Sequence, residues 1–317
     1  MTKPGKYWDV SWNPVVGCSG CGSAGPHGER CWAARMAARF QPILDEYRIQ
    51  PEGPYRDIAN ARGWTNAVRF REEVLEAPLH WRKPRVVAVC WMGDIGYVLQ
   101  RAMLHQVARV FGVMAFTPQH TYLALTKRSA ALRAALSAAR FREVAEITFQ
   151  ELEERRTGQE VAREMPWPLP NVWLGVSAWD QPSLDAAWAD LSRTPAARRW
   201  LSLEPLLGPV DLTRLRGDLG SGDRVVADVV IDALRGLYAP AWCGLKTEPD
   251  CFMDARLSGI VCGGETGRGA RPMHPDWVRQ IRDQCAAAGV PFYLKSLGEW
   301  GPPADSYIAG DALEGRV

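Results

Sequence analysis

Seven short runs of β-branched and aromatic residues recur along the chain: 7–12, 85–91, 121–126, 171–177, 199–203, 258–262 and 290–294. Most are continuously apolar, as in Val86-Val-Ala-Val89 and Val172-Trp-Leu-Gly-Val176. A strand with water on one face alternates, so unbroken runs predict strands covered on both faces. Between them lie stretches with helical spacing at 31–40, 99–113, 129–139, 181–192 and 276–288. The last is punctuated at both ends, by His274-Pro275-Asp276 at its start and Gly289 then Pro291 at its stop. Strand and helix in alternation predict an α/β fold, a partial or full parallel (β/α) barrel, with an open doubly wound sheet as the alternative. Two segments break the rhythm, near 140–170 and 217–257, and are read as insertions in a single domain spanning 1–317.

Ligands of such sheets collect at the carboxyl ends of the strands. The residues just past the apolar runs are unusually polar: Asp94, Lys127, Arg128, Asp180, Glu204, Glu265 and Lys295. Each has a structural alternative, Glu204 or Lys295 as half of an ion pair and Lys127-Arg128 as a solvated turn. Together they predict a site at one mouth. Gly263-Gly264-Glu265-Thr266-Gly267-Arg268-Gly269 fits neither a dinucleotide fingerprint nor a P-loop, although its glycines permit close backbone approach to a ligand.

Composition narrows the classes. The net charge is +2 and charged residues make up 23%, so no polybasic field announces nucleic acid. The first residues carry no apolar signal core, and no stretch approaches the length of a membrane span. With eight cysteines and no export signal, reduced thiols in the cytoplasm and no membrane partner are expected. Fourteen tryptophans, among them Trp12, Trp32, Trp91, Trp173 and Trp300, read as core packing or as a stacking wall for bases or a cofactor.

The densest chemistry is the loop carrying Cys18, Cys21 and Cys31, set between a strand and the helix that begins at Trp32. Three thiolates can hold a 4Fe-4S cluster while leaving one iron open to a small-molecule ligand. His27 offers the competing pattern C-x2-C-x5-H-x3-C, a closed zinc knuckle in a nucleic-acid-binding module. A non-radical iron–sulfur binding protein is a third class. Cys243 and Cys251, spaced C-x7-C, are a second candidate pair, and Cys90 and Cys262 read as buried strand residues.

The strings WNPVVGC, RCWAARMA, RVVAVCWMGD, TPQHTYLALTKR, LPNVWLGVS, LSLEPLLGPVDL, CGGETGRGARPMHPDWVRQIRDQCAAAGVPF and LKSLGEW resemble a bacterial and phage-borne family of uncharacterised proteins. That family's three-cysteine motif is similar to that of radical S-adenosylmethionine enzymes. The resemblance implies a 4Fe-4S cluster on Cys18, Cys21 and Cys31, bound S-adenosylmethionine, a 5′-deoxyadenosyl radical and an electron-donor protein. It implies Asp94 for the methionyl ammonium, and Lys127, Arg128 or Arg271 for a carboxylate or phosphate. Lys127, Glu204 and Glu265 are then the substrate-side catalytic candidates, and phage-borne members imply a nucleic acid or nucleotide substrate. Two departures stand out. Gly28 occupies the place of the family's middle thiol, and Gly263-Gly264-Glu265 lies far downstream of the second strand, where the amine-contacting sequence normally falls.

Overall fold

The computed structural model describes residues 6–21, 24, 28–46, 55–159, 163–221, 224–240 and 254–300. His27, Cys243 and Cys251 fall outside them. Seven strands form one sheet: β1 (Val10–Trp12), β2 (Val86–Val89), β3 (Thr121–Thr126), β4 (Val172–Ser177), β5 (Arg198–Leu203), β6 (Leu257–Gly263) and β7 (Phe292–Ser296). Their order across the sheet is their order along the chain. The β1/β2, β2/β3, β5/β6 and β6/β7 registers are all parallel. A doubly wound sheet reverses its strand order at a switch point, and this one never reverses. The fold is therefore α/β of the partial parallel (β/α) barrel class, and no pairing joins β1 to β7 among the described residues.

The helices are α1 (Trp32–Glu46), α2 (Ile95–Gln100), α3 (Leu104–Phe116), α4 (Ser129–Leu136), α5 (Ala139–Thr157), α6 (Gln181–Leu191) and α7 (Pro275–Ala288). The single helix expected over 99–113 is instead two. Ala102 takes a left-handed turn at φ 60° between α2 and α3, a conformation that helix geometry does not allow. The charged residues 151–157 are the end of α5, closed by Gly158 at φ 72°. Residues near 217–257 include an antiparallel three-stranded sheet, Leu215–Ser221, Arg224–Asp232 and Leu237–Pro240.

The chain divides into two compact units. The first, Trp8–Trp173 with Thr194–Ala197, carries β1 to β3 and α1 to α5. Its core includes Val87, Val107, Phe111, Tyr122, Phe141 and Phe149, each 1% exposed or less. Burying a side chain of that size contributes about 1.5–3 kcal/mol. The second, Met1–Tyr7 with Leu174–Arg193 and Arg198–Val317, carries most of β4, then α6, β5, the antiparallel sheet, β6, α7 and β7. Its core runs through Trp188, Leu201, Leu203, Ile260 and Ile281. Among the described residues no helix is long and apolar enough to cross a membrane.

Candidate functional site

In the first unit the cysteine loop leaves β1 through Val15–Val16, a two-residue strand paired antiparallel with Arg69–Phe70. Gly17 then forms a lone parallel bridge with Gly93, just past β2. At Gly93 a Cβ would stand 2.6 Å from the Gly17 carbonyl oxygen, so only glycine lets the loop lie this close to the strand end.

Arg128, at the carboxyl end of β3, fastens the loop. Its guanidinium donates to Gly20 O at 2.6 Å, to Ser19 Oγ at 2.7 Å and to Cys18 Sγ at 3.5 Å. It also pairs with Asp94 at 3.3 Å and lies 4.8 Å from the centre of the Tyr97 ring. Burial pulls this guanidinium's pKa down. Asp94 and Cys18 outweigh that pull, and it stands above its ordinary value.

Asp94 is itself consumed by this architecture. One carboxylate oxygen accepts from Tyr97 N at 3.0 Å, capping α2, and from Thr126 Oγ1 at 2.6 Å. The other accepts from Lys127 N at 2.9 Å and faces Arg128. A carboxylate has about four lone-pair positions, and all are engaged. In this arrangement Asp94 holds Arg128 and α2 in place. Lys127 contributes its backbone to the same knot, and its side chain is half-buried.

The three thiols differ in setting. Cys18 is buried, and burial, then the Asp94 carboxylate, push its thiol up to about 11, with Arg128 pulling the other way. Cys31 is half-buried at the start of α1. Burial raises its thiol too, opposed by hydrogen bonds from the Ala34 and Ala33 amides and from Trp64. Cys21 is half-buried, and all three are free of disulfides. Among the described residues no three His, Cys, Asp or Glu side chains stand close enough to share a metal ion.

Gly28 explains why this chain has no thiol at that position. It sits at φ +77°, and a Cβ there would meet the Trp64 ring at 2.7 Å. A cysteine would need both a strained backbone and a displaced tryptophan.

The second unit holds the other polar strand ends. Glu204, just past β5, pairs with Lys295 of β7 at 3.0 Å and accepts from Ser202 Oγ at 3.3 Å and the Tyr7 hydroxyl at 3.5 Å. Burial, then Glu204, push the Tyr7 phenol well above its ordinary value. Sequence reasoning missed Tyr7, because nothing in a lone tyrosine near a terminus marks it as a partner of residue 204. Arg271 donates two guanidinium hydrogen bonds and its amide to Glu265, all at 2.8 Å. This closes the glycine-rich loop after β6 upon itself, so the guanidinium expected to grip a ligand grips Glu265. Asp180 caps α6 through Ser183 N at 2.9 Å. Of the tryptophans, Trp12 and Trp173 are core, whereas Trp32 is 49% and Trp300 71% exposed.

A family model described as "Protein of unknown function (DUF5131)" matches residues 4–317. The chain belongs to that family. No curated protein and no solved structure matches it. Membership of this family brings no assigned chemistry, so function rests on the two clusters themselves.

Proposed function

We propose that the chain is an iron–sulfur enzyme of the S-adenosylmethionine type, with Cys18, Cys21 and Cys31 as the thiolates that would hold a 4Fe-4S cluster. The observation that supports this most is the loop's anchorage: three thiols outside any disulfide follow the first strand of a parallel sheet, and Arg128 and Asp94 tie the start of their loop, residues 18–20, to the ends of the next two strands. The donors fit such a centre in kind and number, since soft thiolates suit iron–sulfur chemistry and three leave an open iron. Bound there, the cluster would supply the electron that activates S-adenosylmethionine. Burial holds Cys18 and Cys31 above the ordinary thiol value, and Arg128 beside Cys18 and the α1 amides on Cys31 oppose that shift without cancelling it, so a metal would have to displace both protons. Glu204, held by Lys295 and Tyr7, is a candidate for substrate chemistry, with Lys127 a further one. The substrate would be a nucleic acid or nucleotide, the reductant an electron-donor protein, and the location the cytoplasm, where free thiols persist.

Anaerobic reconstitution with iron and sulfide tests the reading. Brown protein with about four irons per chain is expected. Cys18→Ala, Cys21→Ala and Cys31→Ala should each lose it, while Cys262→Ala should keep it. Colourless protein holding one zinc, released when His27 is replaced, would overturn it in favour of the zinc knuckle.

A further inference from the structure

Helix α1 is inverted relative to an ordinary surface helix. Its inward face is Ala33, Ala34 and Ala37, each 3% exposed or less, packed in a cluster with Val16, Ile58, Trp64 and Met92. Its large apolar residues point outward: Trp32 is 49% exposed, Met36 36% and Phe40 40%. They recur every four residues and so form one stripe. Among the described residues these are three of only five large hydrophobic side chains counted as exposed. Arg35 and Arg39 are exposed on the same face, Arg30 is exposed just before it, and no carboxylate lies between Arg30 and Phe40. Along the chain this stretch is bracketed by Glu29 before it and by Asp45 and Glu46 at the end of α1. Small residues bring the helix close to the core, which leaves Trp32 half in water and Phe40 with one ring face on Tyr55, at 6.2 Å between centroids, and the other side open.

We propose that this outward face binds single-stranded nucleic acid, with bases stacked on Trp32 and Phe40 and phosphates on Arg35 and Arg39. Rings interleaved with guanidinium groups match both halves of a nucleotide, because every base has a π-face and Arg pairs with phosphate through a planar fork. A duplex hides its base faces, so the exposed rings favour an unpaired strand. A second copy of this chain would bring the same arginines against themselves, which argues against self-association. The stripe begins one residue after Cys31, so a strand held on it runs beside the cysteine loop. The proposal names the substrate class of the function proposed above and rests on that reading for what is done to the strand, whereas binding itself needs no cluster.

The test is fluorescence anisotropy of a labelled oligothymidylate of about a dozen nucleotides, a length in the range of single-strand sites. The full-length chain is used before and after iron loading. Micromolar or tighter binding at low salt is expected. Trp32→Ala and Phe40→Ala should each weaken it about fivefold or more. Arg35→Ala and Arg39→Ala should each reduce the slope of log affinity against log salt by about 0.7. Urea denaturation of each variant accompanies the binding measurement, because Phe40→Ala also removes the ring stacked on Tyr55. Where that variant is destabilised, Trp32→Ala and Arg39→Ala carry the test by themselves. Absent binding by the parent, or parental affinity in both ring variants, overturns the proposal. So does equal affinity for poly-glutamate, which points to an acidic peptide, or a dimer dissolved by Trp32→Ala, which points to a second copy. Binding without iron uptake keeps this surface and removes the cluster; iron uptake without binding does the reverse.

Discussion

Arg128 serves four masters at the residue scale: a carboxylate, a hydroxyl, a backbone carbonyl and a thiol. Its side chain is 16% exposed, and that of its partner Asp94 is 9%. Removing one member of a buried ion pair strands the other in low dielectric. Arg128→Ala should therefore cost about 3 kcal/mol by urea denaturation. Arg128→Lys should recover little of that loss, because a point ammonium cannot span Asp94, Ser19 and Gly20 together. The same variants should speed hydrogen exchange across 17–21, where the loop loses its anchor. Unchanged exchange there would show that the Gly17–Gly93 bridge alone holds the loop.

At the scale of elements, that bridge is the second fastening and makes its own prediction. In Gly93→Ala the new methyl would face backbone atoms of Gly17 at 2.6 and 2.8 Å, which cannot rotate aside. The expected loss is about 1–3 kcal/mol, with faster exchange at Gly17. Gly217→Ala, whose Cβ would meet only Ile231 Cδ1 at 3.9 Å, is the control and should be nearly neutral. Equal thermal midpoints for the two would refute the close approach. The same level shows what the sequence made legible. Most strands of the parallel sheet were readable because strands buried on both faces, such as Val172–Ser177, are written as unbroken apolar runs, whereas Val10-Ser-Trp12 at the edge is short and only partly buried. The antiparallel sheet at 215–240 was not, since its first strand, Leu-Arg-Gly-Asp-Leu-Gly-Ser, reads as a glycine-rich loop and is held by pairing partners. The site was legible as a set of residue types at strand ends. Its pairings were not: Asp94 with Arg128 and Glu265 with Arg271 are decided by which carboxylate lies nearest in space, and spacing along the chain carries no record of that.

The whole molecule carries a net charge of only +2, and its arginines are spread over both units, with only Arg35 and Arg39 on α1, where Asp45 and Glu46 balance them. Its buried thiols are likewise spread over both units, Cys18 and Cys90 in the first and Cys262 and Cys285 in the second, and with the buried Tyr7 and Tyr122 phenols they shape how the chain responds to alkali. Burial pushes the Cys90 and Cys285 thiols up to about 12 from an ordinary 9.0, and Cys262 higher still. Each folded thiol therefore keeps a proton that the unfolded chain releases above pH 9. Where the folded state binds more protons, stability falls as pH rises. The contribution is fully present below about pH 9 and is lost as pH climbs towards 12, at a limiting slope of about 1.4 kcal/mol per pH unit for each thiol. Cys90→Ala should flatten that slope by one thiol's share. The substitution also removes the hydrogen bond the sulfur accepts from the Val15 amide and leaves alanine at φ 59°, but both effects shift stability equally at every pH. Slope therefore isolates the proton, and urea denaturation of parent and variant across pH 8 to about 10.5 reads it directly. Parallel lines for the two proteins would mean that the Cys90 thiol ionises in the fold as readily as in the unfolded chain, and that its burial carries no electrostatic cost.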